Sequence, residues 1–396
     1  MMIAEILILA LILVLSIPVA VIFLQTVFAL FPQRSTTLMP APRPRVAIII
    51  PAHNEAMLIE QTLQSLMPQM HEGDRVLVIA DNCTDDTAAL ARKAGAEAIE
   101  RSDMIHRGKG YALDYGVRHL QEDPPEILMI VDADCQAGDG LVSKLAACCV
   151  QSGRPVQSLY LMRSPQGASL KTRIAEFAWL FKNKVRPSGW HRIDMPCHLM
   201  GSGMAFPWQA IGQAKLASGH IVEDLKLGID LALVGYAPFF LQEAVVTSYF
   251  PGNNAGLESQ RARWEHGHIG VILKEGPKLL MQATRKLDVR LLAMALDLMV
   301  PPLALQTLLT FLAVLASLLI YWLTGNNTIL LAALTVFALM AVTIFTAWAV
   351  YGRSVISFGS LCYAPIYVLV KIPLYIRYIF KRQVEWVRSR RDESND

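Results

Sequence analysis

Short apolar runs alternate with helical patterns over residues 46–131. Three runs have the length and composition of buried strands, and each stops at a proline or an aspartate: Val46–Ile50, Val76–Ala80 and Ile127–Val131. A fourth strand is predicted near 96–99, and helical patterns fill the intervals at about 55–66, 87–94 and 109–120. Because strands and helices alternate, the pattern predicts an α/β domain with a mainly parallel sheet and helices on both faces.

The chain from 138 to 250 reads as mixed, with strands near 155–161 and 235–244. Two local patterns predict further details of the helices, one at the start of the helix near residue 87 and one over residues 171–190. Thr84 or Asp85 is placed to cap the helix that begins near residue 87. Residues 171–190 interleave Lys and Arg with aromatic and apolar side chains, which is typical of a helix at a membrane surface and equally of a helix packed over the sheet.

A long apolar segment opens the chain. Residues 6–24 carry no charge and the apolar character continues to Phe31, which is long enough for a helix that crosses a bilayer. The segment lacks the basic start and the small-residue cleavage site of a signal peptide. It therefore predicts a retained anchor.

The other long apolar segments lie after residue 290. Residues 303–322 and 328–350 are each long enough to span a membrane, while 291–300, which precede Pro301 and Pro302, predict a separate interfacial helix. Residues 354–380 stay ambiguous. They are apolar but interrupted by the polar or helix-breaking positions Lys371, Pro373 and Arg377.

These segments predict five regions in the chain: an anchor at 1–31, a basic linker at 32–45, a cytoplasmic domain at 46–285, a membrane region of about two spans plus interfacial helices at 286–380, and a basic tail at 381–396. Basic residues mark the cytoplasmic side of membrane segments, and both the linker (Arg34, Arg43, Arg45) and the tail carry them. Three membrane crossings place both the linker and the tail in the cytoplasm. Four crossings, which would leave the tail outside, are the alternative.

Composition narrows the class of protein. The chain is 54% hydrophobic and only 17% charged, which agrees with membrane segments beside a soluble domain. Its net charge of +3 is small and its basic residues form no stripe with interleaved aromatics, so a nucleic-acid partner is excluded. Basic clusters next to apolar segments indicate contact with the lipid bilayer. The 6 cysteines form no C-x-x-C pair, which predicts a reducing compartment.

Polar clusters follow the three main predicted strands. Asp132 and Asp134, two residues apart after the third strand, project from the same side of an extended segment. Carboxylate oxygens are the ligands that Mg²⁺ and Mn²⁺ prefer, with positions left over for substrate phosphates. The clusters 51–55 and 81–86 follow the other two strands. Because ligands bind beyond the carboxyl ends of parallel strands, we expect one shared crevice rather than three unrelated surface caps.

Further clusters lie on predicted helices. Glu223 and Asp224 open a helical pattern, where simple charge complementarity with the helix dipole is the plainer explanation. Gln260, Arg263 and Trp264 share one helix face, and a guanidinium beside an indole there suits a phosphate and a sugar ring. Neither a P-loop nor a dinucleotide-binding glycine motif follows the first strand.

Together and in this order, the five clusters resemble the family 2 glycosyltransferases of GT-A fold. More narrowly, they resemble the membrane-embedded branch with cellulose synthase, hyaluronan synthase, the poly-N-acetylglucosamine synthases and the ceramide glucosyltransferases. The resemblance covers residues 46 to about 270. It rests on the P-A-H-N-E start at Pro51, on Asp81, on the D-x-D, on the E-D pair and on the Q-x-x-R-W run. His53 stands where an aromatic residue is common in the family, and we expect it to be structural.

The resemblance implies a role for each cluster. Asp81 would contact the nucleobase, usually uracil, with Pro51, Ala52 and Glu55 lining the same pocket. Asp132 and Asp134 would bind the metal, Mg²⁺ or Mn²⁺, and the nucleotide sugar. Asp224, beside Glu223, would be the general base of an inverting displacement. The remaining expected contacts are with the diphosphate or the acceptor and involve Lys109, Gln260, Arg263, Trp264 and the small-residue loop 201–204.

The resemblance therefore predicts a metal-dependent enzyme of the inner or plasma membrane, multi-pass, with its catalytic domain in the cytoplasm. It would transfer sugar from a nucleotide-sugar donor to a membrane lipid or a growing glycan, and polymer synthesis would need a homo-oligomer or an export partner. Two alternatives stay open. One is a single-sugar transferase that makes a glycolipid, on ceramide or polyprenyl phosphate, and the other is an inactive glycosyltransferase-like scaffold of an export complex.

Overall fold

The computed structural model describes residues 2–32, 42–251 and 254–380. The predicted linker positions 33–41 and the basic tail 381–396 lie outside the described residues. The described chain divides into two compact units. The sheet unit takes residues 42–166, 195–251 and 254–267, and the helix unit takes 2–32, 167–194 and 268–380.

The helices, in chain order, are α1 (Met2–Ala29), α2 (Ile59–Leu66), α3 (Thr87–Lys93), α4 (Lys109–Leu120), α5 (Leu141–Ser152), α6 (Leu170–Leu180), α7 (Arg186–Arg192), α8 (Trp208–Ile211), α9 (Glu223–Leu233), α10 (Asn254–Lys286), α11 (Val289–Leu298), α12 (Leu303–Thr324), α13 (Thr328–Ala347), α14 (Phe358–Cys362), α15 (Ala364–Val370) and α16 (Ile372–Phe380). A 3₁₀ turn spans Met67–Gln69, and π-helical turns span Phe181–Val185 and Trp348–Gly352. The strands are β1 (Val46–Ala52), β2 (Arg75–Asp81), β3 (Glu97–Arg101), β4 (Ile127–Ile130), β5 (Gln136–Ala137), β6 (Val156–Arg163), β7 (Met204–Pro207) and β8 (Phe239–Tyr249).

One mixed sheet organises the sheet unit, in the order β3-β2-β1-β4-β7-β6-β8-β5. The first four strands of this order are parallel to one another. Strand β7 is antiparallel to both of its neighbours, and β8 runs parallel to β6. The predicted α/β class with a mainly parallel sheet is confirmed, and the antiparallel strands β5 and β7 are additions that the sequence pattern did not predict.

The parallel half of the sheet is buried by helices because its strands are apolar on both faces. Ile49 of β1 and Ile79 of β2 are fully buried and pack with Leu113 of α4. Gly116 of α4 permits this approach, since a Cβ there would lie 2.8 Å from Ile79 Cδ1. The helix is thus held close over the sheet, with its first residue, Lys109, at the carboxyl edge of the strands.

Two details of the predicted helices are corrected by the structure. Asp86, not Thr84 or Asp85, occupies the cap position of α3, while Asp85 Oδ1 accepts a hydrogen bond from Thr87 N at 3.1 Å. Helix α2 begins at Ile59 rather than near residue 55. Residues 56–58 form a turn before the helix, and Asn54 ahead of them is in the left-handed region (φ +55°).

The helix unit brings together segments far apart in sequence. Ile12 and Leu15 of α1 pack with Ala313 and Ile320 of α12 and with Ala333 of α13. Arg186 of α7 donates to the Asp297 carboxylate of α11 at 2.6 Å, and Gln25 of α1 donates to the same oxygen at 2.6 Å. All three polar side chains are buried. The Asp297 carboxylate therefore finds its charge partner in Arg186 and a further hydrogen bond from Gln25 inside the unit.

Four helical stretches of the described chain are long and apolar enough to cross a membrane: Met2–Ala29, Leu303–Thr324, Thr328–Gly352 and Phe358–Tyr378. The last covers α14, α15 and most of α16 and is broken between them. Helix α11 ends before Pro301 and Pro302, so the separate helix predicted near 291–300 is confirmed. The sequence of residues 171–190 fitted either a helix at a membrane surface or a helix packed over the sheet. In the structure, residues 167–194 belong to the helix unit.

Candidate active site

The ends of β1 and β2 form the first wall of the site. The loop after β1 is tied to the loop after β2 by Asn54, whose Oδ1 accepts from Thr84 N at 2.6 Å. The Glu55 backbone N–H donates to Thr87 Oγ1 at 2.9 Å. His53 Nδ1 lies 2.7 Å from the Asp81 carbonyl oxygen, in agreement with the structural role expected for it. Pro51 and Ala52 are the last two residues of β1 and lie beside this junction.

Asp81 ends β2 with its carboxylate held by two donors. Arg101 Nη1 donates to Asp81 Oδ1 at 2.6 Å, and Asn82 Nδ2 donates to the same oxygen at 3.1 Å. The register of the parallel strands explains the first contact, because Asp81 of β2 and Arg101 of β3 are paired. Burial raises the pKa of Asp81 and the Arg101 guanidinium opposes the rise. Both contacts are made to Oδ1 of the carboxylate.

The D-x-D turn follows β4 and is fixed through its backbone. Asp132 N donates to Ser202 Oγ at 3.0 Å, and Thr62 Oγ1 donates to the Ala133 carbonyl at 2.8 Å. Oxygens of Asp132 and Asp134 and the Cys135 sulfur all lie within 4.8 Å of one another. Two carboxylates at this separation fit a hard divalent cation such as Mg²⁺ or Mn²⁺. Asp132 and Asp134 are therefore the residues that would hold the metal.

Lys109 joins the acidic groups of the site. Its ammonium lies 2.5 Å from Asp132 Oδ1 and 3.5 Å from Glu223 Oε1, and it donates to the Gly201 carbonyl at 2.7 Å. Burial works against the charge, but the carboxylates of Asp132 and Glu223 outweigh it and raise the pKa of Lys109. The lysine thus stays charged among several acids.

Glu223 and Asp224 form the first turn of α9, and Glu223 shares the Lys109 ammonium with Asp132 of the D-x-D. Burial raises the pKa of Glu223 to about 7, opposed by Lys109 and reinforced by Asp224. Burial also raises the pKa of Asp132. Gly201 (φ +95°) lies between these acids. A Cβ there would come within 3.5 Å of Asp224 Oδ2 and 3.9 Å of both Asp132 Oδ2 and Lys109 Nζ, so the backbone at Gly201 lies close to all three charged groups.

The Q-x-x-R-W run lies on α10, within the sheet unit. Gln260 is 4% exposed, while Arg263 and Trp264 are half-buried. Gly267 is two turns beyond Gln260 on the same helix face. A Cβ on Gly267 would lie 2.9 Å from Val222 Cγ1, so this face packs against the residue that precedes Glu223.

Several residues of the site were not predicted from sequence. Arg101 is one, although a basic residue at the end of the strand after Asp81 is a usable signal once the strands are taken as parallel. Gln157 is another, because its amide accepts from Met200 N at 2.7 Å and donates to the Ser202 carbonyl at 2.9 Å. A buried glutamine in the strand β6 gives no sign of this contact in the sequence.

A parallel half-sheet, an acidic D-x-D turn at its carboxyl edge and an added antiparallel strand define the GT-A class of glycosyltransferases. Residues 42–267, more than half of the chain, match the family described as "Glycosyltransferase like family 2". The chain belongs to this family.

Individual relatives agree with this assignment. The probable glycosyltransferase YdaM of Bacillus subtilis is 24% identical over 58% of this chain and 57% of its own length. The probable glucomannan 4-beta-mannosyltransferase 10 of Arabidopsis thaliana is 23% identical over 58% of this chain and 44% of its own. The chain thus spans about half the length of these relatives.

The fold has a solved counterpart. The mannosyltransferase PcManGT from Pyrobaculum calidifontis, in complex with GDP-Man and Mn²⁺, matches 95% of this chain and 100% of its own at a TM-score of 0.57 and 17% identity. At this identity the likeness supports the GT-A fold.

Proposed function

We propose that this protein is an inverting, divalent-metal-dependent glycosyltransferase of the inner or plasma membrane. It transfers sugar from a nucleotide sugar, with UDP as the expected carrier, to a membrane-associated glycan or lipid acceptor. The observation that carries the proposal is the meeting of the D-x-D turn, Lys109 and the start of α9 around Gly201. These groups come from four places in the chain and include both the metal-binding acids and the base.

The donor side is formed by Asp81, Lys109 and the D-x-D turn. Asp81 Oδ2 accepts an N–H of the nucleobase beside Pro51, Ala52 and Glu55, and Lys109 supplies positive charge toward the diphosphate. Asp132 and Asp134 would hold Mg²⁺ or Mn²⁺, and the ion would supply positive charge that offsets the charge of the diphosphate. The Mn²⁺ and GDP-Man in the PcManGT complex support a metal and a nucleotide sugar as ligands of this fold.

The acceptor side is formed by α9 and α10. Asp224 takes the proton from the acceptor hydroxyl as that oxygen attacks the anomeric carbon from the side opposite the diphosphate, and one displacement inverts the configuration. Glu223 pairs with Lys109 and keeps the lysine in place. Arg263 would stabilise charge on the diphosphate, with Gln260 beside it, and Trp264 would stack against the acceptor.

The membrane setting completes the proposal. An anchor at 1–31 and a linker at 32–45 precede a cytoplasmic catalytic domain at 46–285, followed by a membrane region at 286–380 and a cytoplasmic tail at 381–396. The apolar helices of the helix unit support this division. The narrower kinship with the cellulose synthase branch has the Q-x-x-R-W run and the glucomannan mannosyltransferase relative in its favour. A polymerising version would act as a homo-oligomer or with an export partner.

The experiment uses the full chain in lipid nanodiscs with Mg²⁺ or Mn²⁺ and a panel of nucleotide sugars. Nucleotide release and the size of the product are followed together. We expect release with one donor, a long product for a polymerase and a single added sugar for a glycolipid transferase. No release with any donor, in the presence of lipid acceptors, would favour the scaffold alternative.

Asp224→Asn tests the assigned base. We expect transfer to fall about 10²- to 10⁴-fold, because the base is lost from the transition state, while donor binding stays at the wild-type level. The matched control is Asp230→Asn on the same helix, whose carboxylate pairs with Lys226 away from the site. Full transfer activity in folded Asp224→Asn would contradict the mechanism.

A further inference from the structure

Two neutral donors from buried side chains are among the groups that contact Asp134. Ser248 Oγ donates to Asp134 Oδ2 at 3.3 Å, and Cys135 Sγ donates to Asp134 Oδ1 at 3.5 Å. Ser248 is 1% exposed and Cys135 is fully buried. Each carboxylate oxygen of Asp134 is therefore contacted by a donor on the protein side.

Strand pairing brings these donors to the turn. The two-residue strand β5 pairs antiparallel with β8, with Gln136 opposite Thr247 and Ala137 opposite Val246. Continuing that register by one residue places Ser248 opposite Cys135, next to Asp134. The side chains of Ser202 and Tyr160, which are also buried, lie close enough to the Cys135 thiol to affect its ionisation. The thiol thus lies in a buried setting formed by side chains outside the turn.

We propose that Ser248 and Cys135 are positioning residues for the divalent cation, which hold the Asp134 carboxylate in the orientation that binds it. The proposal rests on the proposed function, since it assumes that Asp134 is a metal ligand. A carboxylate oxygen has two acceptor positions, so a protein donor on one of them is compatible with a cation on the other. Neutral donors add no positive charge beside the ion, whereas the contact of Asp132 is with the Lys109 ammonium.

The expected loss of metal affinity can be taken from other proteins in which a hydrogen-bond partner of a metal ligand was removed. A carboxylate that loses its hydrogen-bond partners samples more orientations, and a metal must then order it on binding. Loss of a partner of this kind typically costs about 10- to 100-fold in metal affinity. We expect Ser248→Ala to weaken Mn²⁺ binding about 10-fold. Cys135→Ala should weaken it less, because a thiol is a weaker donor.

The experiment measures Mn²⁺ binding to the full chain in detergent, from the electron paramagnetic resonance signal of free Mn²⁺. The matched control is Thr247→Ala, which removes a hydroxyl from the adjacent position of β8, on the opposite face of the strand. Ser248→Cys and Cys135→Ser keep a donor of similar shape, and we expect both to retain more affinity than the alanine variants. The thermal unfolding temperature and UDP binding in EDTA should match wild type in Ser248→Ala.

The outcomes separate the two proposals. If wild type binds Mn²⁺ and Ser248→Ala binds it equally well, the positioning role is wrong and the proposed function stands. If Ser248→Ala loses metal binding, UDP binding in EDTA and thermal stability together, Ser248 is only a structural residue. If wild type binds no Mn²⁺ at all, the metal dependence of the proposed function fails, and the positioning role with it.

Discussion

At the residue scale, Glu223 and Asp224 are adjacent in sequence but meet different surroundings. Glu223 lies 3.5 Å from the Lys109 ammonium, and burial raises its pKa to about 7. Asp224 lies next to Gly201, where a Cβ would be 3.5 Å from Asp224 Oδ2. Consecutive residues of a helix are turned by about 100°, so Glu223 is directed at the lysine and Asp224 toward Gly201. This difference favours Asp224 as the group that reaches the acceptor.

The raised pKa of Glu223 makes a prediction about stability. The folded state binds the Glu223 proton more tightly than the unfolded chain, where the pKa is 4.5. This contribution is fully present below about pH 4.5 and is lost as pH rises through about 7. Over that window wild type should lose on the order of 3 kcal/mol that Glu223→Gln, which cannot ionise, does not lose.

Chemical denaturation of both proteins in EDTA between about pH 5 and pH 8 measures this difference. Asp230→Asn is the control, because its carboxylate is paired with Lys226 outside the acidic cluster. Parallel pH profiles of wild type and Glu223→Gln would show that Glu223 does not titrate in this range.

At the element scale, the parallel half of the sheet could be predicted because its strands are continuous apolar runs that end at polar residues. The positions of Asp81, Asp132 and Asp134 at one edge follow from that topology alone. Strand β5, with two residues, carries no recognisable pattern, and its pairing with β8 is set by tertiary contacts. The contacts of Ser248 and Gln157 with the site depend on such pairings, so the sequence could not indicate them.

The segment 167–194 shows a second limit of local patterns. Its basic and aromatic positions fit a helix at a membrane surface and equally a helix packed over the sheet, because amphipathicity does not show which surface the apolar face covers. The deciding features are single residues with distant partners. Arg186 meets Asp297 across 111 positions, and Gly189 meets Gln25.

Gly189 gives the prediction at this scale. A Cβ at Gly189 of α7 would lie 2.0 Å from the Gln25 carbonyl oxygen of α1, which is backbone and cannot rotate away. Gly189→Ala should therefore force the two helices apart and destabilise the helix unit by about 3 kcal/mol. Gly359→Ala is the matched control, because an added Cβ at this helical glycine would have no atom within 4 Å. Thermal unfolding in detergent compares them, and equal melting temperatures would refute the close packing.

At the scale of the whole molecule, each unit is assembled from separated segments. The helix unit collects the start of the chain, residues 167–194 and the region after 267, and the chain passes between the units within α10. The long apolar helices all fall in the helix unit and the acidic cluster in the sheet unit. The segments that could cross a membrane and those that carry the acidic cluster therefore belong to different compact units.

The number of membrane crossings is the remaining prediction. Four stretches of the described chain are long enough, but Phe358–Tyr378 is broken into short helices and contains Lys371 and Arg377. Lys371 lies 5.3 Å over the Tyr367 ring, an arrangement that suits the headgroup region better than the hydrocarbon core. The basic residues of the tail favour the cytoplasm as well. We therefore expect three crossings, with the last stretch at the interface.

Cysteine labelling with a membrane-impermeant maleimide on intact cells tests this count, in a Cys362→Ser background that removes the exposed native thiol. Asn326→Cys, in the turn between α12 and α13, should label from outside. Ser394→Cys, in the tail, should label only after the cells are opened, because three crossings return the tail to the cytoplasm. Labelling of Ser394→Cys on intact cells would mean that Phe358–Tyr378 crosses the membrane as a fourth span.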